Sequence, residues 1–243
     1  MFLVGLSSHT FFLEKPQRIV ELAQASGVQG LEWQAESHCQ VGDLKQAHEL
    51  RTLTEQAGLV CLSYAVDACG DEPERERAAV HTAFELGASM LRVIPETRVE
   101  QSLGSLSRCY HSAAELGLMI SVGLSGESSA GSGVEAQALI DQAGGEHADI
   151  LWSRDPFPSD QHALHDLSAV AEHVVGLYCS GLHPDGNTQA LGERTDEWAR
   201  YLSVLSQVDD DHWIVVRGVE NADPAALFRD MQTLRRLVEK YGT

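Results

Sequence analysis

Short apolar runs recur along the chain, and each is followed by an amphipathic stretch of helical length. The runs are Phe2 to Leu6, Gly30 to Trp33, Leu59 to Tyr64, Met90 to Ile94, Leu118 to Leu124, Ile150 to Trp152, Val174 to Cys179 and Trp213 to Val216. Their spacing of roughly thirty residues is the size of one βα unit. Eight such runs are the number that closes a parallel sheet on itself, so the pattern predicts a single α/β domain, a (β/α)8 TIM barrel spanning residues 1–243. A doubly wound open sheet would also repeat βα units, but no G-x-G-x-x-G follows the first run.

The intervening stretches carry helix signals. Pro16 precedes Ile19, Val20, Leu22 and Ala23, which share one helical face, and Gly27 follows as a C-terminal stop. Acidic residues within Asp71 to Arg77 open the third helix, and Ala83, Leu86 and Gly87 close it. In the last unit Asp223 is placed to cap, Pro224 fits the first helical position, and Leu227, Met231, Leu234 and Val238 form a stripe. Two glycine-rich loops, Ser125 to Gly133 and Ser180 to Gly192, follow the fifth and seventh strands. In a barrel that is the face where catalytic loops gather, so they are candidate lids, with tolerated surface insertions as the alternative.

Composition narrows the function classes. The 243 residues, 43% of them apolar and 22% charged, suffice for one large core. Lys and Arg total 17 against 36 Asp and Glu, and this net charge of -19 argues against nucleic acid and anionic membrane partners. The same acidity, with no basic groove, speaks against a DNA-repair nuclease. Cys39, Cys61, Cys69, Cys109 and Cys179 form no C-x-x-C pair, so reduced thiols and a cytoplasmic location are expected. The start of the chain lacks a basic flank and cleavage signal, and no apolar stretch approaches a membrane span. Oligomeric state is not readable from the sequence.

Polar residues at the C-terminal ends of barrel strands point into the mouth and are the first candidates for chemistry. In order they are His9, Glu32, Tyr64 with Asp67, Glu96, Gly123, Asp155, Tyr178 and Arg217. Gly27-Val28-Gln29-Gly30-Leu31-Glu32-Trp33 resembles the second-strand entry of the xylose-isomerase-like sugar isomerases and epimerases. Ala88 to Val93, with Leu91-Arg92-Val93, is similar to their fourth strand, and the stretch from Trp198 through Trp213-Ile214-Val215-Val216 to Leu234 to their closing helix, strand and helix.

The resemblance implies a (β/α)8 barrel and a divalent metal held by a Glu ending strand five, an Asp and a nearby His at strand six, a His at strand seven and a Glu at strand eight. Such an ion polarises a sugar carbonyl or hydroxyl while the glutamates move protons. Here Gly123, Asp155 with Pro158, Tyr178 and Arg217 stand at those positions, so one ligand of the five is kept. No metal site and no cofactor are therefore expected; a manganese, magnesium or zinc ion is the alternative, reachable if the register shifts to Glu220 or His183.

Glu32, Asp155, Tyr178 and Arg217 are accordingly the candidate catalytic group. Arg217 either binds an anionic or carbonyl group or merely pairs with Asp155 or Glu32 to neutralise an inherited acid. His9, Trp33, Glu96, Trp152 and His183 are candidate substrate-binding residues, with loop surface or helix packing as the plainer fate. His48, His81, His111, His162 and His165 fall on predicted helices and read as outer surface. Two functions follow: a metal-independent isomerase or epimerase acting on a small polyhydroxylated, carbohydrate-like ligand, or a non-catalytic descendant that binds a small molecule or a protein.

Overall fold

The computed structural model describes residues 1–67, 72–145, 148–154, 157–180 and 189–242. Strands β1 (Phe2–Ser7), β2 (Gly30–Gln34), β3 (Val60–Val66), β4 (Met90–Val93), β5 (Met119–Gly123), β6 (Ala148–Ser153), β7 (Val174–Cys179) and β8 (His212–Val216) form a closed barrel in sequence order. Every neighbouring pair is parallel, including β8 with β1. Helices α1 (Pro16–Ser26), α2 (Leu44–Gln56), α3 (Pro73–Glu85), α4 (Val99–Ala114), α5 (Gly133–Ala143), α6 (Asp160–Val170), α7 (Thr195–Leu205) and α8 (Pro224–Tyr241) alternate with them. The (β/α)8 expectation is met, with strand ends within two or three residues of the sequence reading. Among the described residues, no helix is long and apolar enough to cross a membrane.

Local chemistry explains the helix ends. Pro16 begins α1, and Gly27 stops it in the left-handed region at φ 68°, returning its N–H to Gln24. Asp223 caps α8 by accepting from the Ala225 N–H at 2.9 Å, with Pro224 at the first turn. The sequence-read opening of α3 at Asp71 lies outside the described residues; the helix begins at Pro73.

Strand alternation sorts side chains between two cores. The outward-facing set, among them Leu6, Leu31, Trp33, Val93, Ile120, Trp152, Leu177 and Ile214, packs beneath the helices. The inward-facing set includes Leu62, Leu151, Tyr178 and Val215, with Trp213 beside them. Trp213 plugs the N-terminal end, and Gly30 makes room for it, since a Cβ there would meet its ring at 3.1 Å. Gly176 allows a closer approach, because its Cβ would strike the Trp213 carbonyl oxygen.

Register irregularities then re-aim residues near the mouth. Leu31 lies opposite Cys61 while Glu32 lies opposite Ser63, so Leu62 is an extra residue on β3. Leu62 and Ser63 both serve the interior, and Tyr64 is turned outward, where its hydroxyl donates to the Cys39 carbonyl at 2.6 Å. A similar shift on β7, with Gly176 opposite Leu151, places Tyr178 inside.

The loop Ser125 to Gly133 is tied down: Ser129 donates its N–H to the Glu96 carbonyl at 2.8 Å, its hydroxyl meets that of Ser102 at 2.8 Å, and Ala130 is buried. These bonds hold it against the segment after β4 and the first turn of α4. Residues 181–188 of the other glycine-rich loop lie outside the described residues.

Gly176→Ala is expected to cost about 3 kcal/mol or more, since the new methyl meets backbone in a packed interior. Gly58→Ala, at φ 71° with open space around it, should cost only the roughly 1–2 kcal/mol of left-handed backbone strain. Urea unfolding of both variants checks the contrast; equal losses would mean that Trp213 does not limit this end of the barrel.

Candidate functional site

The interior below the mouth is polar. Glu32 and Gln34 enter from β2, Ser63 from β3, Arg92 from β4, Ser121 from β5 and Tyr178 from β7, and all are buried. Glu32 accepts hydrogen bonds from the Tyr178 hydroxyl at 2.6 Å and the Ser63 hydroxyl at 2.8 Å, both on Oε2. Its Oε1 is buried with no partner among the described residues, as are Ser121 Oγ and Arg92 Nε.

Arg92 organises this layer. Its Nη2 donates to Gln34 at 3.2 Å and its Nη1 reaches Asp67 at 3.5 Å, while its guanidinium carbon stands 5.7 Å from the centre of the Tyr178 ring. Burial opposes the charge, but the carboxylates of Glu32 and Asp67 favour it and the guanidinium stays protonated. The side chain runs past Gly123, where a Cβ would lie 2.8 Å from Arg92 Cδ and 3.3 Å from Nη1. A carboxylate side chain at position 123 therefore has no room while Arg92 is in place.

Arg217 comes from the end of β8 and is half-buried, its guanidinium carbon 5.0 Å from the Tyr178 ring centre. Backbone bonds fix its origin: the Arg217 N–H donates to the Cys179 carbonyl at 3.0 Å, and the Gly218 N–H donates to Thr10 Oγ1 at 3.0 Å. Thr10 in turn donates to the Val216 carbonyl at 3.2 Å, joining the loop after β1 to the end of β8. Tyr178 thus carries a cation near its ring from each of two strands, and burial, with Glu32 beside it, pushes its phenol well above the usual range. It stays a neutral donor to Glu32.

His9 stands on the rim next to this group, exposed and stacked 6.2 Å from Phe12. Enough protein surrounds its imidazole to disfavour the charge, and the cations of Arg217 and Arg92 lower its pKa further, against the opposing pull of Asp67 and Glu32.

The sequence-derived candidates divide accordingly. Glu32, Tyr178, Arg217 and His9 converge on the mouth. Trp33 and Trp152 do not, and their assignment as ligand contacts is corrected: neighbours on a strand face opposite ways, so Glu32 inside puts Trp33 outside. Trp33 donates to Thr54 of α2 at 3.1 Å, and Trp152 donates to Asp166 of α6 at 2.9 Å while stacking 5.4 Å from Phe157. Glu96 is half-buried just after β4, its carbonyl holding Ser129. Asp155 and His183 lie outside the described residues. The alternative pairing of Arg217 with Glu32 is not formed, because Glu32 is held by Tyr178 and Ser63. Glu220 is engaged by Arg229 of α8 at 3.2 Å and does not stand in for position 217.

Sequence reasoning missed Arg92. Its signal was a lone cation between Leu91 and Val93 in a four-residue strand, a place where only a paired charge is tolerated. The helix histidines are all exposed, as expected. Arg154, beside the β6 end, is turned to α7, donating to Glu197 at 3.0 Å, and Arg194 holds the same carboxylate at 2.6 Å.

The described residues of the mouth do not fit a divalent ion. Among the described residues, no group of three or more His, Cys, Asp or Glu is placed to hold one. Arg92 lies against Gly123 and Arg217 against the Tyr178 ring, so guanidinium groups stand where a hard cation needs oxygen ligands.

No protein-family model matches the chain, and no curated protein matches it in sequence. Solved structures do match. A xylose isomerase domain protein from Planctomyces limnophilus is 14% identical with a TM-score of 0.75, covering 99% of this chain and 97% of that one. The probable 3-DHS dehydratase AsbF of Bacillus anthracis, involved in petrobactin synthesis, is 11% identical with a TM-score of 0.75 over 96% of this chain and 98% of that one. The D-allulose 3-epimerase of Methylomonas sp. is 13% identical with a TM-score of 0.73 over 97% and 98%. The chain therefore has the fold of xylose-isomerase-like barrels and sugar epimerases over nearly its whole length. At these identities the likeness shows the fold alone.

Arg92→Met leaves Glu32 buried without its compensating cation and is expected to destabilise the protein by about 3–5 kcal/mol. Tyr178→Phe, which removes one donor from the same carboxylate, is expected to cost about 1–3 kcal/mol. Urea unfolding measures both. A proton NMR titration should place the His9 pKa below 6.5, and Arg217→Gln should raise it by removing a nearby cation. Because the folded pKa is the lower one, His9 contributes to a loss of stability as pH falls below 6.5 toward that value. An unmoved His9 titration in Arg217→Gln would separate the two residues.

Proposed function

We propose that this barrel binds a small polyhydroxylated, carbohydrate-like metabolite in its C-terminal mouth and acts on it as a sugar isomerase or epimerase does, with protein guanidinium groups where such barrels use a divalent ion. The observation that carries the reading is the set of unpaired hydrogen-bonding atoms under the mouth, Glu32 Oε1, Ser121 Oγ and Arg92 Nε, next to two cations. Buried polar atoms without partners are costly, at about 1–3 kcal/mol each, and ligand hydroxyls or ordered water are what satisfies them. The fold shared with sugar epimerases supports the same ligand class by analogy.

In this reading Arg217 binds and polarises an oxygen of the ligand, and Arg92 is the fixed charge beneath it. Glu32 orients Tyr178 through Oε2, which accepts from both hydroxyls, and leaves Oε1 to the ligand. His9, held neutral at the rim, is the group able to take a proton from carbon next to a carbonyl and return it. The locking of Glu32 to Tyr178 favours a second reading, in which the mouth binds its ligand without turning it over.

Transfer of solvent deuterium into a panel of aldoses, ketoses and their phosphates, followed by NMR with a chelator present, tests the proposal. Exchange with at least one of them, lost by more than tenfold in His9→Gln, is expected. Binding without exchange selects the second reading. Binding of none of them overturns both, and stoichiometric manganese or zinc in protein purified without chelator overturns the metal-independent part.

A further inference from the structure

The charges of the mouth do not balance evenly between its two guanidinium groups. Arg92 is answered on several sides: Asp67 lies 3.5 Å from its Nη1, Gln34 accepts from its Nη2, and Glu32 is a near neighbour held through Tyr178. Arg217 is different. Among the described residues it forms no ion pair and no side-chain hydrogen bond. Its near contact is the ring of Tyr178, which engages the charge and none of the five N–H donors. Its backbone is fixed on both sides through Cys179 and Thr10, and it is half-buried, so solvent screens it less than a surface arginine.

A guanidinium whose origin is fixed and whose donors are uncommitted is built to receive a planar, two-oxygen anion. We infer that the ligand is a sugar acid, a polyhydroxylated chain bearing one carboxylate that Arg217 receives in the mouth. One uncommitted cation matches one negative charge. A phosphate dianion would ask for a second uncompensated cation, and the charge of Arg92 is already answered by Asp67, 3.5 Å from Nη1, and by the nearby Glu32, while the charged form of His9 is disfavoured. The remaining hydroxyls of the ligand face the polar interior below. The inference rests on the reading of the mouth as a site for polyhydroxylated molecules and names their class.

Isothermal titration with D-glucuronate, D-gluconate, D-glucose, D-sorbitol and glucose 6-phosphate tests it on the intact chain. The two sugar acids are expected to bind at least tenfold tighter than their neutral counterparts and tighter than the phosphate. Arg217→Gln should erase that preference, weakening the two sugar acids at least tenfold more than it weakens D-glucose and D-sorbitol, and Arg217→Lys should restore only part of it. Neutral sugars binding as well as the acids, or a preference that survives Arg217→Gln, overturns the inference and leaves the broader reading standing. Tighter binding of glucose 6-phosphate overturns the single-charge assignment. If none of the five binds, both readings fall together.

Discussion

A guanidinium sealed inside a barrel sets the terms for everything around it. Arg92 has no exposed surface, and an ion so placed is stable only if opposite charge and hydrogen-bond acceptors come with it. Glu32 and Gln34 answer that need from β2, and Asp67 from the end of β3. Tyr178 closes the group from across the barrel, giving its hydroxyl to Glu32 and its ring face to the cation. Strand β5 completes the arrangement by having glycine at 123, since any side chain there would collide with Arg92.

The two ends of the barrel solve the filling problem in opposite ways. At the N-terminal end Trp213 fills the space, and glycines on three strands keep clear of it or of the Leu62 and Leu151 side chains beside it. Apolar volume does the work there. At the C-terminal end the space is filled by charge, and the geometry is set by hydrogen bonds with defined directions. Glu32 Oε1, Arg92 Nε and Ser121 Oγ, buried without partners among the described residues, lie in that charged layer.

A barrel of this kind ordinarily joins several strands through one shared group. Here the Arg92, Glu32 and Tyr178 group joins β2, β4 and β7, and the Thr10 hydroxyl ties the loop after β1 to the end of β8. Arg217 sits between these two ties, fixed in origin and uncommitted in charge among the described residues. A pre-organised donor at the rim of a rigid scaffold is the arrangement that binding requires, because little freedom remains to be lost when a ligand arrives.

The sequence by itself determined the barrel. Eight apolar runs at βα spacing, Pro16 and Gly27 around α1, and Asp223 with Pro224 at α8 are local signals, readable because helix caps and strand periods act over a few residues. It also named Glu32, Tyr178 and Arg217, since strand ends are legible. Tertiary structure decided which of these meet. The extra residue at Leu62 turned Tyr64 away and brought Ser63 to Glu32, a shift that no pattern of residue types announces. Arg92 was visible only as part of a strand, and its role came from Gly123 on the neighbouring strand and Tyr178 across the barrel. Trp33 and Trp152 went to the helices because alternation gives each strand position one face, and the partner that fills that face belongs to a distant part of the chain.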